Sequence, residues 1–372
     1  MGPYVARPPS LILRQPSDGR ERERSGSKAG GRGGLVCARE PKRGVPHRAR
    51  ESAVRSDRAI MAASAAAATA GVSFDPGHND VVHDVQFDFY GRRIATASSD
   101  RTVKIFEVLG SEQRLVADLA GHEGPVWQVA WGHPKFGNLL ASCSFDQRII
   151  VWKEVSEGSW SIMYQSPQGL HEASINAIAF APQEVGLSLA AASSDGSISI
   201  ITYDPNSGNW GTDKIPNAHA LGCLGVSWGP AFQSGAMVSP STGPIQPVKS
   251  LTSCGCDNVA KVWTFSDAHG KWMQQGQDLA GHTGWVRDVA WAPSIGMPCS
   301  TIATASEDGN VMIWSQPPQS AGWEGKILSQ FGGPVWRVSW SVSGGVLAVS
   351  DSKNAVTLWK ETVDGTWEKI SQ

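Results

Sequence analysis

Gly121-His-Glu-Gly-Pro-Val-Trp-Gln-Val-Ala-Trp131 opens a unit that runs on through Ser144 and Asp146 to Trp152. The frame returns at Gly281-His-Thr-Gly-Trp-Val-Arg-Asp-Val-Ala-Trp291, followed by Ser306, Asp308 and Trp314. Val129 and Trp131 lie two residues apart, the spacing that puts two side chains on one face of a strand. Six such pairs recur: Val85/Phe87, Val129/Trp131, Ile178/Phe180, Val226/Trp228, Val289/Trp291 and Val338/Trp340. Seven residues before each stands His78, His122, His171, His219 or His282, with Phe331 in the last copy. A turn aspartate follows in five copies (Asp100, Asp146, Asp195, Asp257, Asp308), then six residues later Phe106, Trp152, Ile201, Trp263 or Trp314; Trp359 holds that place in the sixth.

A repeat of about 50 residues built from short β-type runs and turns is the signature of a WD-repeat β-propeller. The expected fold is all-β: one six-bladed propeller over 71–372, with blades near 78–118, 122–168, 171–217, 219–279, 282–329 and 331–372. Each copy reads as four strands, the last often opening on Gly-x-Trp, as at Gly158/Trp160 and Gly365/Trp367. The fourth copy is longer. Its excess, Pro230 to Lys249, is rich in Pro, Ser and Gly and reads as a loop between two strands.

His122, Ser144, Asp146 and Trp152 in copy two, and His282, Ser306, Asp308 and Trp314 in copy five, resemble hydrolase chemistry in composition. Their repetition argues otherwise, because an enzyme needs one activated nucleophile. The expectation is a buried polar network that fixes each turn. No phosphate-cradling glycine loop, zinc-protease helix motif or nucleophile elbow is present, so no catalytic residue, cofactor or metal is assigned. Cys254 and Cys256 have no second Cys or His pair with which to complete a zinc site. Trp127, Trp285, Arg287, Trp336 and Arg337 are candidate binding hot spots. Strand parity with Val129 and Val338 equally places Trp127 and Trp336 on a blade-packing face.

Charge divides the chain. Residues 1–60 carry 14 Lys and Arg against 6 Asp and Glu, and the remainder 18 against 28. An acidic body argues against a dedicated nucleic-acid face. Sixteen tryptophans, concentrated between 127 and 367, supply apolar area for burial. Residues 1–70 read as a disordered basic and Ala-rich extension, and Met61-Ala-Ala-Ser as a second, ordinary amino terminus. Six cysteines without a disulfide framework suit a reducing compartment.

Gly121 to Trp131, Trp285-Val-Arg-Asp-Val-Ala-Trp-Ala-Pro-Ser-Ile-Gly296 and Val335-Trp-Arg-Val-Ser-Trp-Ser341 resemble the small WD-repeat subunit of the COPII outer coat. A member of that family also serves in the Y-shaped scaffold of the nuclear pore. The likeness covers about residues 75–372; Phe331 and Lys353 in the sixth copy depart from the repeat. It implies an open six-bladed ring completed by a blade from an α-solenoid partner, either the COPII coat subunit or a nucleoporin of the Y-complex. It further implies peripheral association with endoplasmic-reticulum vesicles, a place at the nuclear pore and a role in a lysosomal nutrient-signalling complex.

The residues themselves point to the open ring. The sixth copy owns four strands, Trp367 following Trp359 as Trp160 follows Trp152, and only Gly71 to Gly77 precede His78. Neither end has a strand to exchange. The seam between blades one and six is therefore expected to expose Val85, Phe87, Phe89, Val338 and Trp340, inviting strand addition. Three other readings stay open: a WD-repeat subunit of the nuclear pore alone, a substrate receptor of a ubiquitin ligase, and a hydrolase.

Overall fold

The computed structural model describes residues 74–370 apart from 111, 233–245, 294–298, 318, 319, 321 and 363. The basic extension and most of the blade-four loop lie outside the described residues. The strands form six antiparallel sheets. Blade one comprises β1 (Val82–Phe87), β2 (Arg93–Ser98), β3 (Thr102–Leu109) and β4 (Glu112–Ala120). Blade two comprises β5 (Val126–Trp131), β6 (Leu139–Ser144), β7 (Ile149–Ser156) and β8 (Ser159–Gln165). Blade three holds β9 (Ile175–Phe180), β10 (Ser188–Ser193), β11 (Ile198–Asp204) and β12 (Asn209–Ile215). Blade four has β13 (Cys223–Trp228), β14 (Ser250–Gly255), β15 (Val259–Ser266) and an outer strand in two pieces, β16 (Lys271–Gln274) and β17 (Leu279–Ala280). Blade five contains β18 (Val286–Trp291), β19 (Ser300–Ser306), β20 (Asn310–Gln316) and β21 (Glu324–Gln330). Blade six is β22 (Val335–Trp340), β23 (Val346–Asp351), β24 (Val356–Glu361) and β25 (Trp367–Lys369), all its own.

Consecutive blades pack face to face, and the two faces differ. Val126, Val129, Leu140 and Trp152 of blade two pack on Ala95, Ala97, Val103 and Ile105 of blade one. Small side chains on the second strand of one blade admit the bulky inner-strand residues of the next. The same arrangement joins blades two and three, three and four, four and five, and five and six. Each fully buried aliphatic side chain contributes about 1.5–3 kcal/mol. No apolar cluster among the described residues spans blades six and one. The ring is an open six-bladed propeller.

A β-bulge interrupts the pairing of the first and second strands in every blade, leaving one extra residue on the inner strand. Those residues are His83, Trp127, Asn176, Leu224, Arg287 and Trp336. A bulge shifts the alternation of side chains. It explains how Val126 and Val129, three apart, both face blade one, whereas Trp127 packs into the cluster between blades two and three. Parity alone put Trp127 beside Val129; the bulge turns it to the opposite face.

Candidate functional site

The recurrent polar residues form one device per blade. In copy two, His122 Nδ1 lies 2.9 Å from Asp146 Oδ2 and Nε2 lies 2.8 Å from Ser142 Oγ. Trp152 Nε1 donates to the same hydroxyl at 2.9 Å. An indole N–H only donates, so the hydroxyl proton goes to Nε2 and the Nδ1 proton to the carboxylate. In copy five, His282, Asp308 and Trp314 are joined through Thr304 Oγ1, 2.8 Å from Nε2 and 3.0 Å from the indole nitrogen. The linking hydroxyl is thus two residues upstream of the serines expected from the sequence. Ser144 and Ser306 instead accept the turn amides of Asp146 and Asp308 and donate to the carbonyls of Gly124 and Gly284. Position along the strand accounts for the correction: Ser142 and Thr304 lie within β6 and β19, level with the histidine, while Ser144 and Ser306 are the last residues of those strands and cap the turn.

Copies one, three and four follow with local changes. Thr96 serves His78, and Ser253 links His219 to Trp263. Copy three has Ile201 in place of the indole, and its hydroxyl, Ser199, comes from the neighbouring strand. The sixth copy discards the polar set together. Phe331 meets Trp359 edge-on at 6.2 Å, buried Val349 takes the place of the hydroxyl, and Trp359 Nε1 turns to Thr357 Oγ1.

These groups are built to stay put. Ser142 and Thr304 are fully buried, so no substrate reaches them as nucleophiles. Burial alone would raise the Asp308 carboxyl. The amides of Thr283 and Asn310 and the ring of His282 outweigh it and hold the group below the usual carboxylate range. At Asp100 the bonds from Thr102, His78 and Asn79 likewise overcome burial, setting the pKa at about 2. Burial lowers His282, with Asp308 opposing, so the ring is neutral near pH 7. Burial pushes the Cys223 and Cys254 thiols well up. Among the described residues no group of three or more His, Cys, Asp or Glu could hold a metal ion.

The candidate binding site is the seam. Val129, Ile178, Val226, Val289 and Val338 are each less than a tenth exposed, because each packs on the preceding blade. Blade one has none before it: Val85 is 49% and Phe87 59% exposed. Phe89 is exposed too, but stacks on His133 of blade two at 4.9 Å, away from the seam. Val338 and Trp340 are not at the seam. Val338 is buried in the cluster shared with blade five, and Trp340 Nε1 donates to Ala290 O of that blade at 3.0 Å. The reason is directional packing: an inner-strand pair always faces backward. The forward face of blade six is instead formed by Ala348, Val356 and Leu358, of which Val356 is 51% exposed.

A model of the WD domain, G-beta repeat, matches residues 72–107, 113–153 and 273–315. The SEC13 homolog of Drosophila melanogaster is 47% identical over 298 residues, covering 80% of this chain and 82% of the relative. The chain belongs to the SEC13 family. The protein transport protein SEC13 of Mycosarcoma maydis is 43% identical over 341 residues, with 79% and 93% of the two chains covered. That of Emericella nidulans is 45% identical over 312 residues, covering 82% and 98%.

In this SEC13-family chain, sequence reading missed the clasps between blades. Trp131, Trp228 and Trp340 each donate to a carbonyl of the preceding inner strand, at Gln86, Ala179 and Ala290. Each also meets the Gly-x-Trp indole of its own blade edge-on, at 6.0 Å for Trp131–Trp160 and 5.8 Å for Trp340–Trp367. The signal was present in the sequence as the inner-strand tryptophan and the Gly-x-Trp tryptophan that recur together in copies two, four and six. Of the hot-spot candidates, Arg287 is sandwiched between Trp285 and Trp336 at 5.0 and 5.4 Å and paired with Glu307.

Proposed function

We propose that this chain is a non-enzymatic scaffold subunit of the COPII outer coat, carrying protein between endoplasmic reticulum and Golgi, and that an α-solenoid coat subunit inserts a seventh blade at the seam. One observation carries the reading: the backward face of blade one is bare where the equivalent face of the other five blades is buried. An inserted blade would restore the packing that every other blade interface has, covering Val85 and Phe87 on one side and Val356 and Leu358 on the other. Strand addition supplies main-chain pairing and apolar cover together. The relatives of Mycosarcoma maydis and Emericella nidulans are named protein transport proteins, which agrees with a transport role.

The same seam would accept the α-solenoid nucleoporin of the nuclear-pore Y-complex, and a third assembly would be the nutrient-signalling complex at the lysosomal surface. In these roles the chain sits in the cytoplasm, on the cytoplasmic face of coated membranes and at the pore, reaching membranes through its partners. The test is co-expression of the tagged chain with the α-solenoid coat subunit and measurement of complex mass by light scattering. A 1:1 unit that Phe87→Asp dissolves supports the reading. A stable complex indifferent to Phe87→Asp, or stoichiometric recovery of ubiquitin-ligase components alone, overturns it.

A further inference from the structure

Around the central channel, the residue just before the inner-strand apolar pair reaches for the next blade in blades one, two and five; in blade three that residue is Ala177. Asp84 Oδ2 accepts the amide of Val129 at 3.2 Å, Gln128 Oε1 that of Ile178 at 2.8 Å, and Asp288 Oδ2 that of Val338 at 3.0 Å. Blade four, with Gly225 at this place, uses Ser227 Oγ to accept the amide of Trp291 at 3.1 Å. Side-chain oxygens thus bind the amides of the following blade around most of the ring.

Blade six breaks the rule. Its residue at this place is Arg337, which carries only donors. Across the seam the guanidinium lies 3.7 Å from Asp84 Oδ1, beyond hydrogen-bond reach, and makes no hydrogen bond to any described residue. Its side chain is 37% exposed, against 9% for Asp84. Burial disfavours the Arg337 charge, and Asp84 of blade one and Asp288 of blade five outweigh that; the sixth blade thus ends on a cation where the other five carry none.

We propose that Arg337 is the residue that reads the incoming blade: it donates to a side-chain oxygen on the innermost strand of the partner, and Asp84 holds it across the seam until then. This rests on the seam reading above and narrows it, because it fixes the chemistry of one partner position. That position carries Asp, Asn or Gln, the residue types that Asp84, Gln128 and Asp288 exemplify. A guanidinium facing Lys or Arg there would be repelled, and one facing an apolar side chain would lose its water without recompense. Arg337 thereby selects for register as well as for partner.

The experiment compares binding of the purified full-length α-solenoid coat subunit by the wild-type chain, Arg337→Gln and Asp84→Asn, using biolayer interferometry at several salt concentrations. Arg337→Gln weakens binding by about tenfold or more, the usual loss when a hydrogen bond to a charged group is removed. Asp84→Asn keeps an oxygen for the Val129 amide but removes one of the two carboxylates acting on Arg337, with Asp288 remaining, so binding tightens, by about two- to fivefold for loss of a partly exposed ion pair. Opposite signs are the signature. A purely structural role of the cluster would weaken binding in both variants, and unchanged binding in Arg337→Gln would remove Arg337 from the interface; either result overturns the proposal. Failure of the wild-type chain to bind the subunit would instead refute the seam reading on which it rests. Urea unfolding of each variant separates lost binding from lost fold, and Arg337→Lys, which keeps the charge, recovers part of the affinity if charge reads the acceptor.

Discussion

Replacing Thr304 by Val removes one oxygen from the fifth blade and nothing else of comparable size. Valine matches threonine in shape, so no cavity opens. Thr304 is fully buried and shared by two groups, the ring of His282, 2.8 Å away, and the indole of Trp314, 3.0 Å away. Both are at least nine-tenths buried, and water does not replace the lost partner. An unsatisfied buried polar group costs about 1–3 kcal/mol, so the pair of losses amounts to about 2–6 kcal/mol. Urea unfolding read by tryptophan fluorescence measures this as a lower midpoint at unchanged slope. Exchange of the Trp314 indole proton, followed by NMR, supplies the local readout: it accelerates in Thr304→Val and stays slow in Ser306→Ala, whose hydroxyl serves only the turn. A loss below about 0.5 kcal/mol, or equal indole exchange in the two variants, would refute the assignment of Thr304 as the hub.

Three further outcomes follow from the same geometry. Acid titration should destabilise the propeller below about pH 4: the folded-state carboxyls of Asp100, Asp146, Asp195, Asp257 and Asp308 are all depressed, so their contribution is present above the unfolded pKa and disappears as pH falls through the folded one. His282, lowered by burial, adds a loss in the same direction that begins near its unfolded pKa of about 6.5; a flat unfolding free energy between pH 7 and pH 3 would contradict both. Phe87→Asp should leave the melting temperature of the isolated chain nearly unchanged because the ring is already exposed, whereas Trp340→Asp should unfold blade six; equal melting in both variants would show that the two faces had been misassigned. Gly196→Ala should lower stability markedly, since φ is +80° and a Cβ would collide with His219 O; circular-dichroism melting indistinguishable from wild type would remove that close approach.

The repeat was legible because its strongest signals are local. Val129 with Trp131, and Asp146 with Trp152, are fixed offsets on single strands and turns, and six copies of them specify six blades. What could not be read from spacing was the direction in which a face points. The bulge at Trp127 breaks the alternation that parity depends on, and nothing in the local sequence marks where the extra residue falls. Ser144 and Ser142 share a strand face and are both candidate partners for His122 in one dimension; how far along β6 the ring lies decides between them. Membership of the last blade suggests the seam for Val338 and Trp340, but they pack on blade five. The seam belongs to whichever face lacks a neighbour, and in blade six that is the side of Ala348, Val356 and Leu358. Copy six shows the same physics from the other side: Phe331, Val349 and Lys353 replace the polar partners together, leaving no half-satisfied network.

The most direct test of the open seam is a structure of the chain bound to the α-solenoid coat subunit. Strands of the partner lying between β22 and β1, with Val85, Phe87, Val356 and Leu358 buried beneath them, are the predicted result. A partner seated elsewhere on the propeller, leaving Val85 and Phe87 as exposed as in the free chain, would contradict it.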